Sequence, residues 1–256
     1  MASIKNNIAL ITGASSGIGA ESARAFAAEG VHLILAARRA DRIQATAEQL
    51  HAEFGIDVLP LTLDVRDQAQ VAEILGALPE RWTAIDILVN NAGLSRGLTK
   101  LHEGLISDWD EMIDTNVKGL LYVTRTVLPG MVARGRGHVI NIGSIAGHEP
   151  YPGGNVYGAS KAAVAMLSKS LRLDLPGMGI RVTNIEPAMT KTEFSLVRYH
   201  GDAERAEKVY QGFQPLAPAD VADAILWAVT RPPHVNIENI ILFPTAQASA
   251  TITHRI

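Results

Sequence analysis

A glycine-rich segment after the first apolar run most restricts how this 256-residue chain can fold. Residues 8–12 are short, apolar and typical of a β-strand, and residues 17–29 are typical of a helix. A strand, a glycine turn and a helix in this order let the backbone approach a pyrophosphate and aim helix N–H groups at it. A turn without a ligand is the alternative, but the flanking elements favour a dinucleotide site. Its predicted contacts are Gly13, Ser15, Ser16, Gly17, Ile18 and Gly19.

Apolar runs and amphipathic segments alternate along the rest of the chain. The predicted strands are 8–12, 32–37, 57–64, 86–92, 137–144, 180–187 and 238–245. The predicted helices are 17–29, 41–54, 67–77, 107–134, 155–175, about 202–212 and 219–229. Several strands are apolar on both faces, which implies helices on both sides of a parallel sheet. We therefore predict an α/β fold, with a doubly wound Rossmann-type sheet of seven mainly parallel strands and helices on both faces. No composition break divides the chain, so we expect one domain over 1–256.

The end of the second predicted strand carries two arginines, Arg38 and Arg39. In NAD-binding proteins a carboxylate near this position bonds the ribose hydroxyls, and here none occurs before Asp41. A guanidinium suits a 2′-phosphate, which it can hold with two hydrogen bonds. The sequence therefore favours NADP(H) over NAD(H). The alternative is a pair of solvated arginines that opens a loop.

Tyr157 and Lys161 are four residues apart in a predicted helix, with Ser144 just past the strand upstream. Residues at this spacing share a helix face, about 5–6 Å apart. A nearby ammonium favours the phenolate, so Lys161 is expected to lower the pKa of Tyr157. A tyrosine tuned in this way can exchange a proton with a carbonyl or alcohol oxygen. A chance Tyr-x-x-x-Lys pair on a helix is the alternative.

Composition excludes several other classes of function. The formal net charge is −3, which gives no reason to expect nucleic acid or a membrane surface as a partner. The chain has no cysteine, and its eight histidines show no ligand spacing, so we expect no metal. No apolar run reaches membrane length. The chain enters a strand almost at once, so we expect no signal peptide and a cytoplasmic location.

Taken together, these motifs resemble the short-chain dehydrogenase/reductase family over nearly the whole chain. Further matching motifs are the adenine-binding pair Asp64 and Val65, the segment Asn90–Gly93 containing Asn91 and Ala92, the helix residue Asn116, and Pro187 with Thr192. The resemblance implies that Asn116, Ser144, Tyr157 and Lys161 are catalytic. It also implies that Asp64, Val65, Asn91, Ala92, Gly93, Tyr157, Lys161, Pro187 and Thr192 contact the cofactor. One departure is Ala188, where the family has a glycine.

A narrower resemblance points to the branch of NADP-dependent 3-hydroxy acid dehydrogenases. Segments 87–94, 112–116, 127–131, 153–158, 192–195 and 234–237 carry it. That branch oxidises serine and allo-threonine and reduces malonic semialdehyde, and close relatives reduce sulfoacetaldehyde. The resemblance thus implies a small anionic 3-hydroxy acid or hydroxyalkyl sulfonate as substrate. Alternatives are a reductase of bulkier neutral ketones, or a non-catalytic protein that senses NADP.

In the mechanism implied by the resemblance, Tyr157 exchanges a proton with the substrate oxygen and Ser144 hydrogen-bonds that oxygen. Lys161 also holds the nicotinamide ribose, and Asn116 anchors a water that passes protons to Lys161. A substrate anion needs a cation, and Arg198 is favoured because a guanidinium can clamp a carboxylate or sulfonate. Lys191 and Tyr199 lie close to it in sequence. The predicted substrate contacts are Ser144, Tyr151, Tyr157, Arg198 and Gln247.

The helices predicted at 108–134 and 155–175 are apolar over most of their circumference. One face of each can pack on the sheet, and the other would be exposed unless a second chain covered it. Symmetric association through these helices is expected. The family is commonly tetrameric, so we predict a homotetramer or a dimer.

Overall fold

The fold is organised around one sheet in a computed structural model that describes residues 2–256. The sheet has seven strands in the order β3-β2-β1-β4-β5-β6-β7, and every neighbouring pair runs parallel. The strands are β1 Ile8–Thr12, β2 His32–Ala37, β3 Val58–Thr62, β4 Ile87–Asn90, β5 Gly137–Ile142, β6 Ile180–Pro187 and β7 Asn239–Leu242. The predicted doubly wound α/β sheet is confirmed.

Helices connect the strands and cover both faces of the sheet. They are α1 Gly17–Ala28, α2 Ala40–Phe54, α3 Gln68–Gly76, α4 Ile106–Ile113, α5 Leu120–Arg134, α6 Asn155–Asp174, α7 Phe194–Arg198, α8 Ala203–Lys208 and α9 Pro218–Val229. None of the helices in residues 2–256 combines the length and the apolar character that crossing a bilayer requires.

The strand side chains alternate between two apolar layers, as a period of two residues requires. Leu33 and Leu35 belong to the layer that α1, α2 and α9 cover, together with Phe26 and Ile225. Ile34 points the other way, into the layer under α3 and α5. Burying a large aliphatic or aromatic side chain stabilises a fold by about 1.5–3 kcal/mol. Burial on both faces therefore fixes the register of the central strands.

Three sequence predictions of local structure were wrong in detail. The long helix predicted over 107–134 is interrupted by a π-helical segment at Asp114–Gly119, which separates α4 from α5. The helix predicted at 202–212 is only α8, and α7 was not predicted at all. Strands β3, β4, β5 and β7 end before their predicted carboxyl ends, because those residues leave the ladder to form loops.

The switch in strand order falls between β1 and β4, which run side by side at the centre of the sheet. Helices leave β1 and β4 towards opposite faces, so the loops after these strands diverge. A crevice opens at such a point, beyond the carboxyl ends of the strands. Most of the predicted site motifs follow strand ends at this side of the sheet, and the others lie on helices.

Candidate active site

A cavity of about 550 Å³ lies at the carboxyl edge of the sheet. Its volume is in the range of small-molecule and cofactor sites. The predicted residues that line it are Gly13, Ser15, Ser16, Gly17, Ile18, Arg38, Arg39, Asp64, Val65, Asn91, Ala92, Gly93, Ser144, Tyr151, Tyr157, Lys161, Pro187, Thr192, Arg198 and Gln247. Two predicted residues, Gly19 and Asn116, lie behind its wall instead. The fold thus brings one compact set together from all parts of the chain.

The glycine turn has no room for side chains. Gly13 has a φ of +66°, and a Cβ there would lie 2.9 Å from the Cα of Ala92. A Cβ on Gly19 would lie 2.5 Å from the carbonyl oxygen of Gly13. The Asn91 side chain donates a hydrogen bond of 2.9 Å to the carbonyl of Thr12 and fixes the turn from below. Gly17 and Ile18, the first residues of α1, line the cavity beside this turn, where the N–H groups of a helix start can bind a phosphate.

The two arginines after β2 have different surroundings. Arg39 donates to the hydroxyls of Ser15 and Ser16 at 2.9 and 2.7 Å and forms an ion pair of 2.7 Å with Glu193. Within residues 2–256, the guanidinium of Arg38 forms no hydrogen bond or ion pair, and this exposed side chain lines the cavity. Arg39 thus ties the phosphate turn to the loop before α7, and Arg38 keeps all its donors for an anion.

Tyr157, Lys161 and Ser144 form a buried group on one wall of the cavity. Tyr157 and Lys161 lie on the first turns of α6, where the Lys161 Nζ is 5.9 Å from the centre of the Tyr157 ring. The Lys161 ammonium donates a hydrogen bond of 2.7 Å to the carbonyl of Ile142 at the end of β5. The Ser144 hydroxyl accepts a hydrogen bond from the Ala146 N–H at 3.2 Å.

Burial dominates the protonation of this group. It raises the pKa of Tyr157 to about 12, with Tyr151 acting in the same direction and Ser144 and Arg198 in the opposite one. Burial also lowers the pKa of Lys161 to about 8. The predicted lowering of the Tyr157 pKa by Lys161 is thus not seen among the protein's own groups, because removing a phenolate from water costs more than the local charges return. A phenol of this pKa is protonated at neutral pH and can donate a proton.

Asn116 lies in the π-helical segment between α4 and α5 and hydrogen-bonds residues next to the cavity. Its amide accepts from the Leu94 N–H and donates to the Leu94 carbonyl, both at 2.8 Å, and it also donates to Ser160 at 3.0 Å. A Cβ on Gly93 would lie 3.3 Å from the Asn116 oxygen and 3.4 Å from the Lys161 nitrogen. π-Helical turns inside α-helices are frequent at functional sites. Gly93 thus contacts both the Asn116 amide and the Lys161 ammonium, and a side chain at Gly93 would crowd them.

Arg198, at the end of α7, lines the cavity, and its guanidinium lies over the Tyr157 ring. Its guanidinium carbon lies 5.3 Å from the centre of the Tyr157 ring and 4.9 Å from that of Phe194. It donates hydrogen bonds of 2.9 Å to the Tyr151 hydroxyl and 3.1 Å to the Ser95 hydroxyl. No carboxylate within residues 2–256 forms an ion pair with it. The cavity therefore contains a part-buried positive charge that hydroxyl oxygens and aromatic rings contact, with no carboxylate paired to it.

The other substrate candidates, Lys191, Tyr199 and Gln247, have different surroundings. Lys191 forms an exposed ion pair of 2.6 Å with Glu207 and does not line the cavity. Tyr199 lines it, but Arg205 covers its ring at 4.3 Å. Gln247 accepts from the Met189 N–H and donates to the Ser249 carbonyl, both at 3.0 Å. Gln247 therefore holds the loop after Pro187.

Ala188 fits the position where the family has glycine. The only positive φ angles of non-glycine residues within residues 2–256 are those of Asn6 and His200, so the alanine is not strained. Its N–H donates to the Leu242 carbonyl at 2.8 Å, which anchors the loop to β7.

Within residues 2–256 no group of three or more His, Asp or Glu side chains is placed to hold a metal.

Sequence reasoning missed the residues that hold α7 over the cavity. Glu193 receives Arg39 and Arg42, both at 2.7 Å, and their hydrogen bonds lower its pKa to about 2. Arg96 donates to the Val197 carbonyl at 2.7 Å and pairs with Glu111. Both tethers join residues far apart in the chain, so no local spacing reveals them. The one available signal was the cluster of opposite charges around these positions.

The chain is similar to known dehydrogenases in both sequence and structure. The sequence model of the short chain dehydrogenase family matches residues 7–201. An NADP-dependent 3-hydroxy acid dehydrogenase of Salmonella typhi is 50% identical over 97% of this chain and 99% of its own length. One from Schizosaccharomyces pombe is 41% identical over 100% of this chain and 99% of its own. A solved serine dehydrogenase, in its closed form with NADP+, has a TM-score of 0.91 at 49% identity, covering 97% of this chain and 100% of that one.

Proposed function

The chain belongs to the short-chain dehydrogenase/reductase family, and we propose that it interconverts a small anionic 3-hydroxy acid, or hydroxyalkyl sulfonate, and its carbonyl form. It is an NADP-dependent dehydrogenase that acts on hydroxyl groups, as its relatives are. The observation that carries the proposed substrate class is the unpaired charge of Arg198 opposite Tyr157.

The residues present fit NADP(H), which supplies or accepts the hydride when bound. The glycine turn leaves space for a pyrophosphate beside the first N–H groups of α1. Arg38 is available for the 2′-phosphate, whereas Arg39 holds the turn. Asp64 and Val65 would hold the adenine, and Asn91 to Gly93 with Pro187 and Thr192 would surround the rest of the cofactor.

Tyr157 is proposed as the group that donates the proton during reduction and accepts it during oxidation. Its hydroxyl is protonated at neutral pH because burial raises its pKa to about 12. Ser144 lies beside it and would hydrogen-bond the substrate oxygen, on which negative charge develops as the hydride arrives. Lys161, held by the Ile142 carbonyl, would bind the nicotinamide ribose and add positive charge next to Tyr157.

Arg198 is proposed to hold the substrate anion. Hydroxyl oxygens and aromatic rings surround this part-buried guanidinium but supply no negative charge, and leaving its positive charge without a counter-ion is costly. A carboxylate or sulfonate would balance the positive charge and accept two hydrogen bonds from the guanidinium. Tyr151 orients the guanidinium through its hydroxyl at 2.9 Å. Lys191 is a poor candidate, since Glu207 already neutralises it outside the cavity.

A panel of initial rates with NADPH tests the substrate class. It compares malonic semialdehyde, sulfoacetaldehyde, a neutral aldehyde of similar size and a bulky neutral ketone, with serine and NADP+ in the reverse direction. We expect kcat/KM for the anionic aldehydes to exceed that for the neutral aldehyde by 10-fold or more, since a charged hydrogen bond contributes about 1.5–3 kcal/mol. Faster reduction of the bulky ketone would favour the alternative reductase, and no turnover of any compound would favour a cofactor-sensing protein.

Replacing Arg38 with Asp is expected to lower kcat/KM for NADPH by roughly 10- to 100-fold and to raise it for NADH. The substitution removes a charged contact to the 2′-phosphate and introduces an acceptor for ribose hydroxyls. The matched control is Arg42→Asp, which makes the same charge change on α2 at a residue that pairs with Glu193 but does not line the cavity. An equal loss in both variants would place the 2′-phosphate elsewhere.

Exposed apolar side chains on α5 and α6 support the proposed self-association. Leu121, Met166 and Leu173 are 41%, 63% and 70% exposed. Large apolar side chains exposed on these helices favour an interaction site, and symmetric contacts between identical helices would cover them. Light scattering coupled to size-exclusion chromatography would test this, with a Met166→Glu and Leu173→Glu double variant expected to lower the mass. A wild-type mass of about 27.4 kDa would contradict the proposal.

A further inference from the structure

A fully buried carboxylate lies behind the catalytic wall, outside the cavity. Glu186, the residue before Pro187 at the end of β6, has 0% of its surface exposed. Its oxygens lie 2.6 Å from the His148 Nε2, 2.7 Å from the Asn184 amide nitrogen and 2.6 Å from the Asn239 amide nitrogen. Burial of a carboxylate is costly unless it is paired and hydrogen-bonded. These three contacts provide the hydrogen bonds that the buried carboxylate needs.

Glu186 packs directly under the segment that carries the catalytic contacts. A Cβ on Gly143 would lie 2.8 Å from the Glu186 Cγ, so only a glycine lets the two approach. The residue before Gly143 is Ile142, whose carbonyl accepts from Lys161, and the residue after it is Ser144. A small cavity that Glu186 and His148 line is also lined by Ala165 and Ser168 of α6.

Lys161, Ala165 and Ser168 are spaced four and three residues apart and so lie on one stripe of α6. Glu186 therefore faces the stripe that carries the catalytic lysine. Within residues 2–256, Lys161 makes no direct ion pair, and its only hydrogen bond is to a neutral carbonyl. Burial lowers the pKa of Lys161 to about 8, and the charge of Glu186 acts against that effect.

We propose that Glu186 is a positioning residue that supplies the buried negative charge keeping the Lys161 ammonium protonated during turnover. The role rests on the proposed function of Lys161, which must be charged to assist Tyr157 and to bind the ribose. His148 is 36% exposed and connects the carboxylate to solvent. The Glu186 carboxylate thus lies behind the catalytic wall, with His148 between it and solvent.

Other charged groups around this carboxylate are few. Lys169 on α6 and Glu238 before β7 line the same small cavity as Glu186 and His148. Arg172 pairs with Glu238 at 3.3 Å. Lys169 thus faces Glu186 from α6, the helix that also carries Lys161. His148 faces it from the turn after β5, and the Glu238 charge is partly offset by Arg172. Glu186 is the one carboxylate among them that is fully buried.

The pH dependence of aldehyde reduction by Glu186→Gln tests the proposal. Loss of the negative charge lowers the folded-state pKa of Lys161 further, so the ammonium loses its proton at a lower pH. We expect the alkaline limb of kcat/KM, measured with NADPH between pH 6 and 10, to move down by about one pH unit. At pH 6, where Lys161 is still protonated, kcat and the Kd for NADPH should remain within about threefold of wild type.

Two controls separate charge from structure. Glu186→Asp keeps the charge and should leave the limb within a few tenths of a unit of the wild-type position. Asp86→Asn removes another buried carboxylate. Asp86 lies at the amino ends of the strands, away from the cavity, and accepts from the Ile8 N–H at 3.1 Å. Its replacement should lower stability without moving the limb. An unmoved limb in folded Glu186→Gln, or an equal shift in Asp86→Asn, would overturn the proposal.

A partly exposed position provides a test should Glu186→Gln not fold. His148→Arg places a permanent positive charge next to Glu186 and should move the limb down, whereas His148→Gln should leave it in place. Equal limbs in these two variants would contradict the proposal. Failure of the proposed function is distinguishable, because it would appear as full activity in Lys161→Met, whereas failure of this inference leaves Lys161 essential.

Discussion

Tyr157→Phe is expected to lower kcat for aldehyde reduction by about 10²–10⁴-fold, the usual contribution of a general acid. The variant loses only the hydroxyl, while the ring can still pack against Phe194, 5.4 Å away between ring centres. The position of Lys161 should not change, because its hydrogen bond goes to the Ile142 carbonyl and not to the phenol. Binding of NADPH, followed by fluorescence titration, should therefore stay within about threefold of wild type.

Tyr210→Phe is the matched control for this experiment. Tyr210 is a buried tyrosine that lines the same cavity, and its hydroxyl contacts Ser195 at 2.8 Å and the Thr190 carbonyl at 3.1 Å. Removing that hydroxyl costs a structural hydrogen bond, about 0.5–1.5 kcal/mol, and should reduce kcat by less than tenfold. A Tyr157→Phe variant with nearly wild-type kcat would show that another group donates the proton, and the mechanism would have to be rebuilt around it.

The parts of the fold that sequence reasoning predicted depend on short-range chemistry. Side chains that are apolar on both faces of a strand can only be buried between two helical layers, so Leu33 and Ile34 already indicate the doubly wound sheet. The need for glycine at Gly13 and Gly19 is likewise local, because backbone atoms fill the space of a side chain. Such constraints are readable from spacing alone.

The parts that sequence reasoning missed depend on contacts between distant residues. The π-helical turn around Asn116 looks like ordinary helix in sequence, and the partners of Asn116, Leu94 and Ser160, are 22 and 44 residues away. α7 has only five residues, too short to be stable by itself, and ion pairs of Glu193 hold its start.

The different surroundings of Arg38 and Arg39 also depend on a contact with a residue distant in the sequence. Adjacent residues of one type look equivalent in sequence, but Glu193, 154 positions further along the chain, pairs with only one of them.

The protonation of the buried site also could not be predicted from the sequence. Residue spacing suggested that Lys161 lowers the pKa of Tyr157, yet burial, which is a property of the whole fold, raises it. Charge balance in a buried site therefore has to be read from the three-dimensional structure.

Arg198→Ala is expected to lower kcat/KM for a carboxylate or sulfonate aldehyde by roughly 10- to 100-fold, while a neutral aldehyde of similar size changes less than threefold. A charged hydrogen bond contributes about 1.5–3 kcal/mol, and 1.4 kcal/mol is a factor of ten. The affinity for NADPH should barely change, since the Arg198 guanidinium donates to Tyr151 and Ser95, neither of which is proposed to hold the cofactor. Initial rates for the two aldehydes, each with saturating NADPH, measure the difference.

Arg96→Ala distinguishes binding of the anion from support of the loop. Arg96 holds the Val197 carbonyl at 2.7 Å and pairs with Glu111, but its side chain does not line the cavity. Losing it should loosen α7 and lower kcat/KM for charged and neutral aldehydes alike. If Arg198→Ala gave that same uniform loss, its guanidinium would be only a structural support for α7 and Tyr151. The selective loss is expected because the charge of Arg198, unlike that of Arg96, has no carboxylate within residues 2–256 to balance it, and a bound substrate anion would supply one.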